Sequence, residues 1–263
     1  MPTDLIDNSR GGYRFLPGIA PYSSGVVADS GMEIVHVTLA KPLAWHAGLC
    51  AARSYLEQLG RPPHSLCGVE LRCPAPFTIE GFIEFNTGYR ALLQEWDLLV
   101  DGQNPVARTN VAPVVDPPRE SVLYAFSYTR PSQVAGPTFV VAGGGELRAG
   151  GLEQRLIVRG GETSDEAMRD KARFVVELMR QRLQGLGADA CRLSTIDVYT
   201  AHALRDTLAE ELIPGLAAAG GLGVHWFYAR PPVCDIEFEM DMRGVACECV
   251  VDLMSTAADG KPA

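Results

Sequence analysis

Apolar positions fall into two rhythms along the chain, and these rhythms predict its elements. Stretches rich in β-branched and aromatic residues read as strands: "MEIVHVTLA" (32–40), "PVARTNVAPVV" (105–115) and "SVLYAFSYT" (121–129) in the first half. "TFVVAGGGEL" (138–147), "EQRLIVRGG" (153–161), "LGVHWFYARP" (222–231) and "CDIEFEMDM" (234–242) read likewise in the second. Helical spacing marks the segments between them. "TSDEAMRDKARFVVELMRQRLQGLG" offers Thr163 or Ser164 as N-cap, acids in its first turn, and Gly185 or Gly187 at its end. Its Ala167, Ala172, Val175, Val176, Met179 and Leu183 form one stripe, as a helix lying on a sheet requires. Further helices are predicted over 78–98 and 201–219.

The pattern repeats. "RSYLEQLGRPPHSLCGVELR" (53–72) aligns without a gap on "RQRLQGLGADACRLSTIDVY" (180–199). Leu56 meets Leu183, Leu59-Gly60 meets Leu186-Gly187, and Val69-Glu70-Leu71 meets Ile196-Asp197-Val198. Each copy reads as a helix stopped by glycine and followed by a strand. The expected order in each half is β-β-α-β-α-β-β, an α+β layer with helices on one sheet face. Residues 1–130 and 138–252 are then two domains, 131–137 a Pro/Gly/Ser-rich linker, and 253–263 a tail without order.

Composition narrows the function. The 263 residues are 47% hydrophobic, enough for a substantial core. Lys+Arg 23 against Asp+Glu 32 gives a net charge of −9 with no basic stripe, so nucleic acid is not an expected partner. No apolar run reaches the length of a membrane span and the N-terminus has no signal core, so a cytoplasmic location and no membrane are expected. The 7 cysteines show no C-x-x-C spacing; "CEC" at 247–249 places two thiols on one strand face.

Several local motifs carry a resemblance. "PYSSGV" (21–26), "FIEFNTGY" (82–89), "ARTNV" (107–111), "VVAGGGE" (140–146) and "DIEFE" (235–239) are similar to segments of the Rid (YjgF/RidA) family. The chain resembles two diverged Rid-like units in tandem, across nearly its whole length. That resemblance implies chorismate-mutase-like α+β units, trimeric assembly, and hydrolysis of reactive enamines and imines. By it, Arg108 grips a substrate carboxylate, Tyr22, Asn86, Asn110 and Gly143 line the pocket, and Glu237 stands at the family's glutamate. The first half departs from the pattern with Tyr124 near that glutamate's place. The second half has Leu222 or Gly223 where the arginine belongs, with His225 nearby as a substitute donor or as a core histidine. The resemblance also puts the pocket between units, so Gly143 of a second half should face Asn86 and Arg108 of a first half.

The residue chemistry agrees with that outline. A guanidinium offers a planar pair of donors to a carboxylate and stays charged at any working pH. Imine hydrolysis needs a group to orient water and a proton for the departing nitrogen, for which Tyr124 or Glu237 are the candidates. "AGGGELRAGG" (142–151) lacks the G-x-x-x-x-G-K pattern and reads as a hairpin turn. The five histidines do not cluster, so neither a metal nor an organic cofactor is expected. The expected activity is hydrolytic deamination of a small carboxylated enamine or imine by a homo-oligomer of three chains. A non-catalytic small-carboxylate binding protein and a chorismatase-like hydrolase are the alternatives.

Overall fold

A computed structural model describes residues 4–148, 153, 156–216 and 219–254. The chain runs β1 (Ile6–Asn8), β2 (Tyr13–Leu16), β3 (Gly25–Ala28), β4 (Met32–Ala44), α1 (Trp45–Gln58), β5 (Leu66–Arg72), α2 (Ile79–Glu95), β6 (Ala107–Pro113) and β7 (Val122–Pro131). It continues with β8 (Phe139–Gly145), α3 (Asp165–Gly185), β9 (Thr195–Tyr199), β10 (His225–Phe227), β11 (Ala229–Arg230), β12 (Glu239–Gly244) and β13 (Cys247–Val251). The α+β class follows from this order. Among the described residues no helix is long and apolar enough to cross a membrane.

Local signals set the helix ends. Ser164, not Thr163, caps α3 by accepting the Ala167 N–H at 3.2 Å, with Asp165 and Glu166 against the positive end of the helix dipole. Gly60 and Gly187 close the two repeated helices at φ of 68° and 65°, a region that costs glycine nothing. Two predicted elements form differently. The 153–161 segment makes no strand among its described residues: Ile157 only bridges Leu147, and turns follow, with 154–155 outside the described residues. The helix expected over 201–219 breaks into Arg205–Thr207, a π turn at Leu208–Leu212 and Ile213–Gly215, where Pro214 interrupts the hydrogen-bond ladder. Of the expected tail, 255–263 lies outside the described residues.

The strands assemble into two sheets, ordered β1-β2-β3-β8-β12-β9-β10 and β11-β6-β5-β7-β4-β13. Each sheet takes strands from both halves of the sequence. β1–β3 extend the second half's sheet through antiparallel β3–β8 pairing, while β13 runs parallel to β4 and β11 antiparallel to β6 in the first half's sheet. Helices α1 and α2 cover one sheet with a core that includes Leu49, Leu56, Leu93 and Phe126. Helix α3 covers the other through Val175, Met179 and Leu183 against Val141, Val198 and Met240. The uncovered faces meet each other. Small residues Cys67, Ala107 and Ala142 sit at that seam beside Tyr13, whose hydroxyl crosses to the Leu66 carbonyl at 2.8 Å.

The seam also holds a buried polar cluster. Thr109 Oγ1 donates to Asp241 Oδ2 at 2.6 Å, Tyr199 donates to the same oxygen at 3.0 Å, and Arg243 holds Asp197 at 2.7 Å. Glu70 pairs with Arg72 at 3.3 Å. Burial, then the neighbouring Asp197 and Glu70, push the Asp241 carboxyl well above its ordinary value. Glu70, Asp197 and Asp241 stand close enough to share a metal ion, but protein cations and hydroxyl groups already satisfy them.

Candidate active site

A cavity of about 650 Å³ opens where the β2–β3 loop, α2, β6, β8, α3 and the start of β12 meet. It brings together five of the residues singled out in the sequence: Tyr22, Asn86, Arg108, Asn110 and Gly143. They converge within one chain, with Gly143 from the second half and the others from the first.

Arg108 is buried on β6, and its Nη2 donates to Asn86 Oδ1 at 2.6 Å. Its guanidinium carbon lies 4.6 Å from the Tyr22 ring centroid and 4.7 Å from that of Tyr89. Aromatic faces stabilise a cation without neutralising it. No carboxylate pairs with Arg108 among the described residues, and its buried Nη1 has no hydrogen-bond partner. The Asn110 amide, also buried, has neither its donor nor its acceptor satisfied. Unmet buried polar groups are costly, and a polar anionic ligand could satisfy this set. Burial pulls the Arg108 and Arg182 guanidinium groups below their ordinary values, yet arginine remains charged.

Opposite Arg108 stands Glu239, at the first position of β12 and paired in register with Gly145. The glycine run of β8 makes room for it. A Cβ at Gly143 would lie 2.4 Å from Glu239 Oε1, and one at Gly144 would lie 2.9 Å from Arg182 Nη1. Arg182 reaches from α3 to donate to the carbonyls of Ala142 and Gly143 at 2.8 and 3.0 Å. Burial pushes the Glu239 carboxyl up to about 8; Arg182 opposes that rise, and the Glu146 carboxyl adds to it. A carboxyl that carries its proton near neutrality and gives it up just above can act as both acid and base.

Three expected residues stand elsewhere. Glu237 Oε2 lies 2.9 Å from His202 Nε2, outside the cavity lining. The start of β12 is the reason: the strand begins at Glu239, opposite Gly145, and the Glu239 carboxyl lies over Gly143, whereas Glu237 precedes the strand. Tyr124 lies 3.9 Å beneath the Arg72 guanidinium, also outside the lining. His225 is on edge strand β10 with its side chain 66% exposed and Nδ1 3.1 Å from Asp197 Oδ1. It pairs with Asp197 as Thr109 pairs with Glu70, so it takes the place of Thr109 in the repeat and not that of Arg108. Glu239 and Arg182 were missed in the sequence. Their signals were a second acid two residues along a strand, and a cation three residues after Met179 on an apolar helix stripe. Arg90, Arg148 and Arg182 line the cavity with Arg108.

Comparison with known proteins identifies the family. A crystal structure of chorismatase is similar at 12% identity and TM-score 0.47, covering 92% of this chain and 78% of that one. A crystal structure of a "putative endoribonuclease" from Thermotoga maritima is similar at 16% identity and TM-score 0.31, over 43% of this chain and 81% of that one. The 2-amino-5-chloromuconate deaminase of Comamonas testosteroni is 41% identical over 254 residues, which span 95% of this chain and all of that protein. The family model "2-aminomuconate deaminase CnbZ" matches residues 5–249. With a model spanning nearly the whole chain, and a full-length relative at that identity, this chain belongs to the CnbZ 2-aminomuconate deaminase family.

Proposed function

We propose that the protein hydrolytically deaminates an unsaturated amino dicarboxylate of the 2-aminomuconate type, through the enamine–imine chemistry that the Rid-like motifs imply. The carrying observation is the placement of a protonatable Glu239 at Gly143, facing an Arg108 that has no salt-bridge partner among the described residues. Support comes also from the family and from the named substrate of the 41% identical relative. Arg108, steadied by Asn86, takes the carboxylate next to the amino carbon. Arg182, Arg148 and Arg90 offer a cationic wall to the second carboxylate, and Phe82, Val233 and Ile236 enclose the carbon chain between them.

The reaction balances on one carboxyl group. Protonated Glu239 gives its proton to the enamine carbon, which turns the amino carbon into an iminium. The resulting carboxylate takes a proton from water as the oxygen adds to that carbon. Glu239 then returns this proton to nitrogen, ammonia leaves, and the hydroxyl proton restores the acid as the 2-oxo acid forms. One water enters and one ammonia departs. Assembly of three chains belongs to the same proposal and is read by sedimentation velocity.

The test is ammonia and 2-oxo acid release from 2-aminomuconate, beside monocarboxylate imines generated in place by an amino-acid oxidase. The dicarboxylate should turn over fastest. Glu239→Gln should lose on the order of 10³-fold in kcat. Arg108→Ala should lose on the order of 100-fold in kcat/KM, about 3 kcal/mol. No ammonia above the buffer rate from any of these compounds would sink the reading.

A further inference from the structure

The deepest ion pair among the described residues lies behind the cavity and outside the reaction described above. Lys171 on α3 and Glu146 just past β8 are both fully buried, with Nζ and Oε1 3.1 Å apart. Lys171 also donates to the Val158 carbonyl at 2.8 Å. Glu146 spends both oxygens on the main chain: Oε1 accepts the Glu237 N–H at 2.6 Å and Oε2 the Phe238 N–H at 3.0 Å. Those are the last two peptide groups before Glu239, upstream of the first β12–β8 register pair, Glu239 with Gly145.

We infer that the Glu146–Lys171 pair is the positioning device for Glu239: Glu146 fixes where β12 begins and supplies the fixed charge behind the Glu239 carboxyl. The inference rests on the reading of Glu239 as the group that moves the proton. Stability alone does not account for such a pair, because an apolar pair of similar volume commonly serves a core as well. An apolar pair could not accept two N–H groups, and it could not oppose the cations that Glu239 faces.

Those cations come from every side: Arg182 from α3, Arg108 from β6 and Arg72 from β5 all favour loss of the Glu239 proton. Glu146 is the anion set against them. The remaining titratable neighbours, Tyr22 and Cys73, are held by burial as neutral phenol and thiol. Burial pushes the Glu146 carboxyl up, and the Glu237 N–H and the Lys171 ammonium, which favour its anion, oppose that rise.

The experiment follows kcat/KM against pH, together with a carboxyl-¹³C glutamate NMR titration of the ligand-free protein. Wild type is compared with Glu146→Gln and Glu146→Asp, and Glu239→Gln assigns the resonance. Glu146→Gln should move both the Glu239 titration and the alkaline limb of activity down by about one pH unit. Glu146→Asp keeps the charge but is too short to hold both N–H groups, so the titration should stay while kcat falls. If Glu146→Gln does not fold, Glu146→Gln/Lys171→Met removes the pair without stranding a charge and should show the same downward move. A Glu239 resonance that titrates at the wild-type pH in the charge-free variants would overturn the inference, whatever their thermal stability. Full activity in Glu239→Gln would instead remove the catalytic reading, and the NMR comparison would still decide the coupling.

Discussion

At Gly143 the absence of a side chain is what lets a carboxyl and a strand backbone share one place. Alanine there would put its Cβ 2.4 Å from Glu239 Oε1, so Glu239 must rotate away from the cavity. Gly143→Ala should therefore fold and yet lose about 100-fold in kcat, the usual cost of displacing a reacting group by about 1 Å. Glu239 also ties activity to pH. With its carboxyl pushed up to about 8, the alkaline limb of kcat/KM should fall near that pH and vanish in Glu239→Gln. The stability consequence has a definite sign. A carboxyl that binds its proton more tightly when folded contributes stability that is full below its unfolded value, about 4.5, and lost as pH rises through about 8. Thermal melts should therefore show Glu239→Gln more stable than wild type above that pH, with the difference closing in acid. Arg108 was legible in the sequence because "ARTNV" follows "FIEFNTGY"; Glu239 was not told apart from Glu237, since residues two apart on a strand share a face and only tertiary pairing sets where β12 begins.

At the scale of the element, α3 does more than cover a sheet. Its stripe of Val175, Val176, Met179 and Leu183 is the amphipathic pattern that the sequence displays. Lys171 and Arg182 lie on the same buried side and would read as flaws in that stripe. Each is satisfied only by tertiary partners: Lys171 by Glu146 and the Val158 carbonyl, Arg182 by two carbonyls of β8. Lys171→Met would leave Glu146 buried without its cation, and should destabilise the fold by about 3–5 kcal/mol in urea unfolding. The predicted strand at 153–161 failed for a related reason: periodicity marks apolar residues but does not say whether a sheet edge is free to receive them.

For the whole molecule, the exchange of strands between the two sheets is the governing fact. β1–β3 complete the second half's sheet, and β11 and β13 complete the first half's. Separate expression of 1–130 and 138–252 should therefore yield chains that lack cooperative unfolding, each missing strands and exposing sheet edges. Mixing the two during refolding should restore a single transition; two independently stable fragments would show that the halves are self-sufficient domains. The same exchange helps bring Gly143 beside Arg108 inside one chain. Sequence by itself determined the repeated helix–strand units, the acidic first turn of α3 and the acidic balance, which are written in local spacing or composition, while the family resemblance marked the arginine, asparagine, tyrosine and glycine of the cavity. Only the tertiary structure decided which sheet each strand joins, that Glu239 and not Glu237 meets Gly143, and that of two helix cations Lys171 is buried behind the cavity while Arg182 lines it. Those choices depend on register and on contacts between residues far apart in the chain, which local pattern does not encode.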